Sequence, residues 1–192
     1  MIKRSFDFVL SFIGIVLFGW IILLAWLVAS VETKSNGFFL QKRVGKDGRL
    51  FDIIKIKTMK KVDGVDTTIT SADDIRITKS GKFFRKTKID ELPQFFNIFK
   101  GDMSFVGPRP DVEGYADKLE GEDRIILSVK PGITGPASIK YKNEEEILAK
   151  QKDAKKYNDE VIWRDKVKIN KEYIQNQSLL KDIEYLIKTI TG

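Results

Sequence analysis

The stretch FVLSFIGIVLFGWIILLAWLVASV, residues 8–31, decides the fold, because it is apolar throughout and carries no charged side chain. As an α-helix rising about 1.5 Å per residue, it is long enough to cover a hydrocarbon core of roughly 30 Å. A cleaved signal peptide fits poorly, since its apolar region usually has roughly 7–15 residues and no small-x-small cleavage site is present here. The pattern therefore favours a membrane helix over a signal peptide or a buried helix of a soluble protein.

Basic residues flank this apolar run on both sides: Lys3 and Arg4 before it, and Lys34, Lys42 and Arg43 after it. The positive-inside rule places basic flanks in the cytoplasm. A helix that enters the inner leaflet, bends and leaves on the same side satisfies both flanks, and Ser11, Gly14 and Gly19 are candidate positions for the bend. The run contains no proline, so the residues alone leave the spanning and re-entrant alternatives open.

The composition of the 192-residue chain limits which side chains could carry out catalysis. It contains no cysteine and no histidine, which excludes disulfides, thiol nucleophiles, Ser-His-Asp triads and the commonest transition-metal ligands. Any catalysis must rely on carboxylates, lysine, arginine, hydroxyls and a hard cation bound through oxygen. The formal net charge of +7 is compatible with an anionic membrane, a phosphorylated substrate or nucleic acid as partner.

The polar part of the chain predicts an α+β fold. Residues 38–59 form two apolar-rich runs joined by Gly45-Lys46-Asp47-Gly48, which predicts a β-hairpin, and the alternation places Lys55 and Lys57 on one face. The spacing predicts a helix over 91–100, and the sequence reads as a polar loop over 60–82, an irregular segment over 102–111 and a helix over 111–129. Two further helices are predicted over 143–158 and 159–191, the second broken near Asn176.

The stretch RKTKIDELP, residues 85–93, carries the strongest chemical signal. A structural interpretation is available: Asp90 caps a helix and Glu91 complements the helix dipole. A catalytic interpretation fits the composition better, because an ionised aspartate can attack phosphorus without a base. The adjacent glutamate would then hold Mg²⁺ against phosphate oxygens. Positive charge for an anionic substrate is supplied by Arg85, Lys86 and Lys88.

A second candidate element is Gly107-Pro108-Arg109-Pro110. Gly107 and Arg109 each precede a proline, which pushes both towards extended geometry. A guanidinium held between two prolines is presented at low entropic cost, and it can bind phosphate in a bidentate way.

Taken together, these residues resemble a known family, the bacterial sugar transferases, and specifically its small monotopic phosphoglycosyl transferases. The longest motif is KIDELPQFFNIFKGDMSFVGPRP, residues 88–110. Further motifs are SFD at 5–7, KIKTM at 55–59, DIRIT at 74–78 and KPGITGPAS at 130–138. The resemblance covers nearly the whole chain.

The resemblance implies transfer of a phospho-sugar from a UDP-sugar to polyprenyl (undecaprenyl) phosphate, with Mg²⁺ as cofactor and UMP as product. This is the first membrane step of surface glycan biosynthesis, at the cytoplasmic face of the bacterial inner membrane. It further implies that residues 1–33 form a re-entrant membrane helix. Residues 34–192 would form the catalytic domain, with amphipathic helices at the membrane surface.

The resemblance also assigns roles to individual residues. By this resemblance Asp90 would be the nucleophile that forms a covalent phospho-sugar intermediate, and Glu91, with Asp90, would hold the metal. The anion-binding and nucleotide-binding residues fall on Lys57, Arg85, Pro108, Arg109 and Pro110.

Two departures from the family pattern concern the membrane bend and the donor. Gly19-Trp20 replaces the Ser-Pro that is common at the bend. Lys142 replaces an arginine in a loop that helps to select the sugar, so the sugar is not identified by the sequence.

The alternative from another functional class is a non-catalytic, membrane-anchored basic protein that binds anionic lipid, nucleic acid or a partner. No nucleic-acid motif supports it. Paired carboxylates within a basic patch would also weaken its affinity for a polyanion.

Overall fold

The computed structural model describes residues 2–61 and 74–192 and begins with one long helix. Helix α1 extends from Ile2 to Thr33 and includes the whole apolar run. Neither Gly14 nor Gly19 has a positive φ, and the helix continues through both residues. Within the described residues, α1 is the one helix that is long and apolar enough to cross a membrane. The re-entrant path remains a prediction.

The predicted β-hairpin follows α1 and is confirmed. Strand β1 (Phe38–Val44) pairs with β2 (Leu50–Ile56), and a 3₁₀ turn over Lys46–Gly48 joins them. Asp47 and Gly48 adopt positive φ values of 58° and 78°. These are the left-handed conformations that Asp and Gly tolerate best, which explains why the sequence turns here.

The remaining elements are mostly short helices, with one further pair of strands. The helices are α2 (Lys79–Thr87), α3 (Gln94–Lys100), α4 (Pro136–Lys140), α5 (Glu144–Ala149), α6 (Ala154–Tyr157), α7 (Trp163–Gln175) and α8 (Leu179–Thr191). Turns of 3₁₀ helix cover Ile89–Glu91, Ala116–Lys118 and Gly121–Ser128, and a π-helical turn, Asn158–Ile162, joins α6 to α7. Strands β3 (Ser104–Val106) and β4 (Gly132–Thr134) pair in parallel. The α+β class is confirmed.

Several local predictions need correction. The segment 102–111 contains strand β3, although its glycine and prolines predict irregular structure. The predicted helix over 111–129 is replaced by two 3₁₀ segments. The predicted loop over 60–82 lies partly outside the described residues, and helix α2 begins within its last part. The predicted break near Asn176 is confirmed, because α7 ends at Gln175 and α8 begins at Leu179.

The chain divides into two compact units, each with its own core. One unit contains residues 8–41 and 52–100, and the other contains residues 1–7, 42–51 and 101–192. The core of the first unit consists of Ile22, Ala25, Ala29, Ile56 and Phe84. The core of the second consists of Val44, Ala116, Ile126, Leu127 and Val167. The predicted division between residues 33 and 34 concerns the membrane rather than this packing and remains a prediction.

In the first unit, aromatic side chains of α3 pack on α1. The rings of Phe8 and Phe99 stack with their centroids 4.7 Å apart, and Phe18 lies beside Phe95. A Cβ atom on Gly14 would lie 2.9 Å from the Phe95 ring, so a glycine there allows this close approach. Helix α3 is therefore seated directly on the apolar helix.

Candidate active site

Asp90 and Glu91 lie in a tight turn between two helices. Helix α2 ends at Thr87, and Lys88 then adopts the left-handed conformation, with φ 58° and ψ 17°. The amide of Glu91 donates to the Lys88 carbonyl at 3.1 Å, which closes the 3₁₀ turn over Ile89–Glu91. Asp90 therefore lies inside this turn and does not serve as the N-cap of the following helix. That structural interpretation of Asp90 was wrong.

The Asp90 side chain is buried but incompletely satisfied. The residue is 9% exposed, and its Oδ1 atom has no hydrogen-bond partner among the described residues. Burial raises the pKa of Asp90, and the neighbouring charge of Glu91 raises it further, whereas Lys55, Lys88 and Arg85 act in the opposite direction. A buried carboxylate oxygen without a donor is costly unless a substrate or cation engages it.

Glu91 forms an ion pair that the sequence interpretation missed. Its Oε1 accepts a hydrogen bond from Lys55 Nζ at 2.9 Å, and both side chains are largely buried, at 14% and 18% exposure. Lys57, which the resemblance assigns to anion binding, donates to Ser35 Oγ at 2.9 Å, and its role in substrate binding remains a prediction. The alternation of strand β2 placed Lys55 and Lys57 on one face but did not reveal the contact of Lys55 with Glu91.

Two hydrogen bonds of Asn97 fix the position of strand β2, which carries Lys55, relative to helix α3, which follows Glu91. The side chain of Asn97, on α3, donates to the Asp52 carbonyl at 2.7 Å and accepts from the Ile54 amide at 3.0 Å. Asn97 is only 2% exposed. Because one amide side chain satisfies both groups of β2, the strand that carries Lys55 is held against the helix that follows Glu91.

Arg85 is held by the two residues that complete the KIKTM motif. Its Nε donates to Thr58 Oγ1 at 3.1 Å, and its Nη2 lies 3.5 Å from Met59 Sδ. A Cβ atom on Gly81 would lie 2.3 Å from the Thr58 carbonyl oxygen, so glycine is required for α2 to approach this strand extension. The guanidinium is thus oriented by protein contacts and contributes to the positive potential at Asp90.

In the second unit, the Pro108–Pro110 turn is joined to the KPGITGPAS motif, residues 130–138. Backbone bonds connect Gly107 N to Thr134 O at 2.9 Å and Gly132 N to Pro108 O at 2.8 Å. A Cβ atom on Gly132 would lie 2.2 Å from Gly107 N, and one on Gly135 would lie 2.4 Å from Gly107 O. These glycines are needed because two backbones touch, which the sequence interpretation did not foresee.

The same turn presents Arg109 outward. Arg109 is exposed, whereas Pro108 and Pro110 on either side are buried. The end of β1 supports the turn from the other direction, since Arg43 Nη1 donates to the Pro110 carbonyl at 3.3 Å and the Val44 amide donates to the Asp111 carbonyl at 2.8 Å. The predicted rigid presentation of a guanidinium agrees with this geometry.

Asp111, directly after the turn, is a half-buried carboxylate near several cations. Burial raises its pKa to about 6, and the nearby charges of Lys166, Arg43 and Arg109 oppose that rise. The remaining predicted residue, Lys142, is exposed and donates to the carbonyl of Gly192 at 3.0 Å.

The structure thus groups the predicted residues by unit. Asp90, Glu91, Arg85 and Lys57 belong to the first unit, and Asp90 and Glu91 share one turn with Arg85 and Lys55 nearby. The second unit contains Pro108, Arg109, Pro110 and Lys142.

The acidic pair is compatible with a hard cation, although it is a minimal ligand set. Within residues 2–61 and 74–192, no cluster of three or more acidic side chains could hold a metal ion. Mg²⁺ usually binds through one or two carboxylates and completes its shell with water and substrate phosphates. The unpartnered Oδ1 of Asp90 and the carboxylate of Glu91 fit such a site.

Comparison with known families identifies the chain. The family model described as bacterial sugar transferase matches residues 1–192. The chain belongs to the bacterial sugar transferase family.

Relatives in several bacteria share this sugar transferase region. A UDP-N-acetylgalactosamine-undecaprenyl-phosphate N-acetylgalactosaminephosphotransferase of Aeromonas hydrophila is 36% identical over 98% of this chain and 43% of its own length. A UDP-glucose:undecaprenyl-phosphate glucose-1-phosphate transferase of Caulobacter vibrioides is 32% identical over 98% of this chain and 68% of its own length. The sugar transferase EpsL of Bacillus subtilis is 32% identical over 99% of this chain and 86% of its own length. The chain therefore spans less than half of the Aeromonas relative and most of the Bacillus one.

Proposed function

We propose that this sugar transferase moves a sugar phosphate from a UDP-sugar to undecaprenyl phosphate and releases UMP. The observation that carries the proposal is the buried, unpartnered carboxylate oxygen of Asp90, set beside Glu91 and within the field of Lys55, Lys88 and Arg85. The names of the relatives support the donor and acceptor classes.

The proposed reaction has two displacements at one phosphorus. An oxygen of Asp90 attacks the phosphorus next to the sugar, a bond forms between them, and the bond from that phosphorus to the UMP oxygen breaks. A phosphate oxygen of the lipid acceptor then attacks the same phosphorus and releases Asp90 as a carboxylate. Ionised Asp90 is required for the first step, and the cations around it favour that state against the effect of burial.

The surrounding residues bind and orient the substrates. Arg85, fixed by Thr58 and Met59, binds donor phosphate oxygens, as does Arg109 on its rigid turn. Lys55 orients Glu91 through their ion pair, so that the glutamate can face a cation. Mg²⁺, held by Asp90 and Glu91, would neutralise charge on the diphosphate.

The test is the mass of the protein after incubation with a UDP-sugar and no acceptor. The wild type should gain the mass of one phospho-sugar on Asp90 and release UMP, whereas Asp90→Asn should do neither. Asp47→Asn is the matched control, because Asp47 is an exposed residue of the hairpin turn and asparagine also tolerates its left-handed conformation. A wild-type enzyme that turns over without ever carrying the label would refute the nucleophile. A wild type without turnover on any UDP-sugar would favour the non-catalytic binding protein.

The membrane topology is part of this proposal. Lys3, at the start of α1, forms an ion pair with Asp182 of the C-terminal helix. Since α1 is the one candidate membrane helix in the described residues, this contact supports a re-entrant helix with both ends on the cytoplasmic side. N-terminal and C-terminal tags should therefore share protease accessibility in sealed vesicles, and opposite accessibility would refute this topology.

Helix α8 is proposed to lie on the same membrane surface. Its apolar residues Leu180, Ile183, Ile187 and Ile190 recur at helical spacing and are 80%, 37%, 55% and 85% exposed. The Lys3–Asp182 ion pair supports lipid as the occupant, because it ties α8 to the first turn of the membrane helix. The chain contains no cysteine, so a polarity-sensitive dye on Ile187→Cys should shift to the blue with anionic vesicles. The same dye on Lys181→Cys should not, and equal shifts would contradict the proposed face.

A further inference from the structure

Two polar side chains from distant parts of the sequence converge on one backbone carbonyl, and a buried carboxylate holds both of them. The carbonyl oxygen of Val106 lies 3.1 Å from Lys3 Nζ and 3.2 Å from the Tyr173 hydroxyl. The same lysine and the same hydroxyl each lie 2.5 Å from a carboxylate oxygen of Asp182. The amide of Gln177 donates to the Tyr173 hydroxyl at 2.9 Å.

Most of this network is buried, which makes its composition informative. Asp182 is 1% exposed, Tyr173 is 3% exposed and the side chain of Lys3 is 28% exposed. A buried ion pair contributes little net stability compared with well-packed apolar residues, because both charges lose hydration. Apolar side chains would fill this place at lower cost, so the polar network points to a need for a defined geometry.

The carbonyl that the network holds is one residue before the turn that presents Arg109. Val106 ends β3, and Gly107 begins the Pro108–Pro110 turn. Two residues earlier, the carboxylate of Asp7 accepts from Ser104 Oγ at 3.1 Å, and it also accepts from the Phe105 amide at 3.2 Å. The first turns of α1 therefore hold every residue of β3, through Lys3 at its end and Asp7 at its start.

We propose that Lys3, Tyr173 and Asp182 are positioning residues that fix the end of β3 and thereby set Arg109 for binding the donor diphosphate. This inference rests on the proposed function of Arg109. None of the three residues needs to touch the substrate. Their effect is to keep the Val106 carbonyl, and with it the backbone entering the turn, in one orientation.

The test compares two tyrosines in the same unit, each of which contacts an aspartate. Tyr173→Phe removes the hydroxyl at Val106, and Tyr115→Phe removes a hydroxyl that donates to Asp159 at 3.0 Å, away from β3. Tyr173→Phe should raise the KM for the UDP-sugar about tenfold with kcat within about twofold, because a hydrogen bond to a charged network is lost. Tyr115→Phe should leave KM within about twofold of the wild type. Equal KM values for both variants and the wild type would overturn the proposal, and so would equal losses in both variants.

Variants of the Lys3–Asp182 ion pair give a second, independent test. Lys3→Arg keeps the charge and the donors and should keep a near-normal KM, whereas Lys3→Met with Asp182→Asn removes both charges together and should raise it. The double variant avoids leaving one buried charge uncompensated, which would threaten folding. A normal KM in the double variant would overturn the proposal. Failure of the proposed function is distinguishable, because the wild type would then show no turnover.

Discussion

Replacing Gly132 with alanine should separate the two strands that support the Arg109 turn. The new Cβ atom would lie 2.2 Å from Gly107 N, 2.5 Å from Thr134 O and 2.8 Å from Gly107 O, whereas ordinary contact begins at 3.4 Å. All three atoms belong to backbone, so no side chain can rotate away. Steric repulsion at such distances should therefore push the strands apart by about 1 Å.

The cost follows from the hydrogen bonds that join this region. The bonds Ser104 N to Pro131 O and Gly132 N to Pro108 O are 2.8 Å long, and Gly107 N to Thr134 O is 2.9 Å. At a net value of about 1 kcal/mol each, their loss lowers the free energy of unfolding by about 3 kcal/mol. For a chain of this size, that corresponds to a fall in melting temperature of roughly 6–12 °C.

The assay is thermal unfolding in lipid nanodiscs, together with UMP release. Gly114→Ala is the control, because Gly114 has a positive φ of 102° but nothing within 4 Å of its Cβ position. It should cost only about 1 kcal/mol, from backbone strain. If Gly132→Ala melts within about 2 °C of the wild type, the reasoning from close backbone approach is refuted.

Three further predictions concern Thr58, Asp111 and Lys88. Thr58→Val removes the hydroxyl that accepts from Arg85 Nε and should raise the KM for the donor about tenfold; an unchanged donor titration would contradict the role of Thr58. Asp111 has a pKa raised from 3.8 to about 6, so its proton is bound more tightly in the folded chain. The wild-type free energy of unfolding should therefore fall by up to about 3 kcal/mol as pH rises from about 4 to about 6. Asp111→Asn should abolish this pH dependence of the unfolding free energy in urea titrations. If the pH dependence persists in the variant, a group other than Asp111 causes it. Lys88→Gly removes one cation near Asp90 but keeps the turn, because glycine adopts the observed φ of 58°, so it should retain more UMP release than Lys88→Val. Lys88→Val should lose most of that activity and about 2 kcal/mol of stability, and equal activity of the two variants would exclude a role for this conformation in setting Asp90.

Local features of the fold could be predicted from the sequence because they depend on local physics. The hairpin turn at Gly45–Gly48 and the break after Gln175 depend on residues that stand next to each other. Strand β3 could not be predicted in this way. Its partner β4 begins at Gly132, far along the chain from Ser104, and the pairing depends on glycines that let two backbones touch.

The site shows the same distinction. The acidic pair was identifiable because a chain without histidine and cysteine has few other nucleophiles. The ion pair of Lys55 with Glu91 was not identifiable, because strand alternation places Lys55 and Lys57 on one face, whereas β2 ends at Ile56 and Lys57 contacts Ser35. The ion pair of Lys3 with Asp182 joins opposite ends of the chain, which no local pattern can reveal.

The seating of α3 on α1 has a consequence for how such an enzyme should be assayed. Helix α3 begins three residues after Glu91, and its Phe95 and Phe99 rings pack on α1, the proposed membrane helix. In the proposed reaction, an acceptor dissolved in the leaflet would search for its reaction partner in two dimensions. Its effective concentration would be a mole fraction within the bilayer, so adding inert phospholipid at constant acceptor should slow the proposed second displacement by surface dilution and leave the proposed loading of donor unchanged.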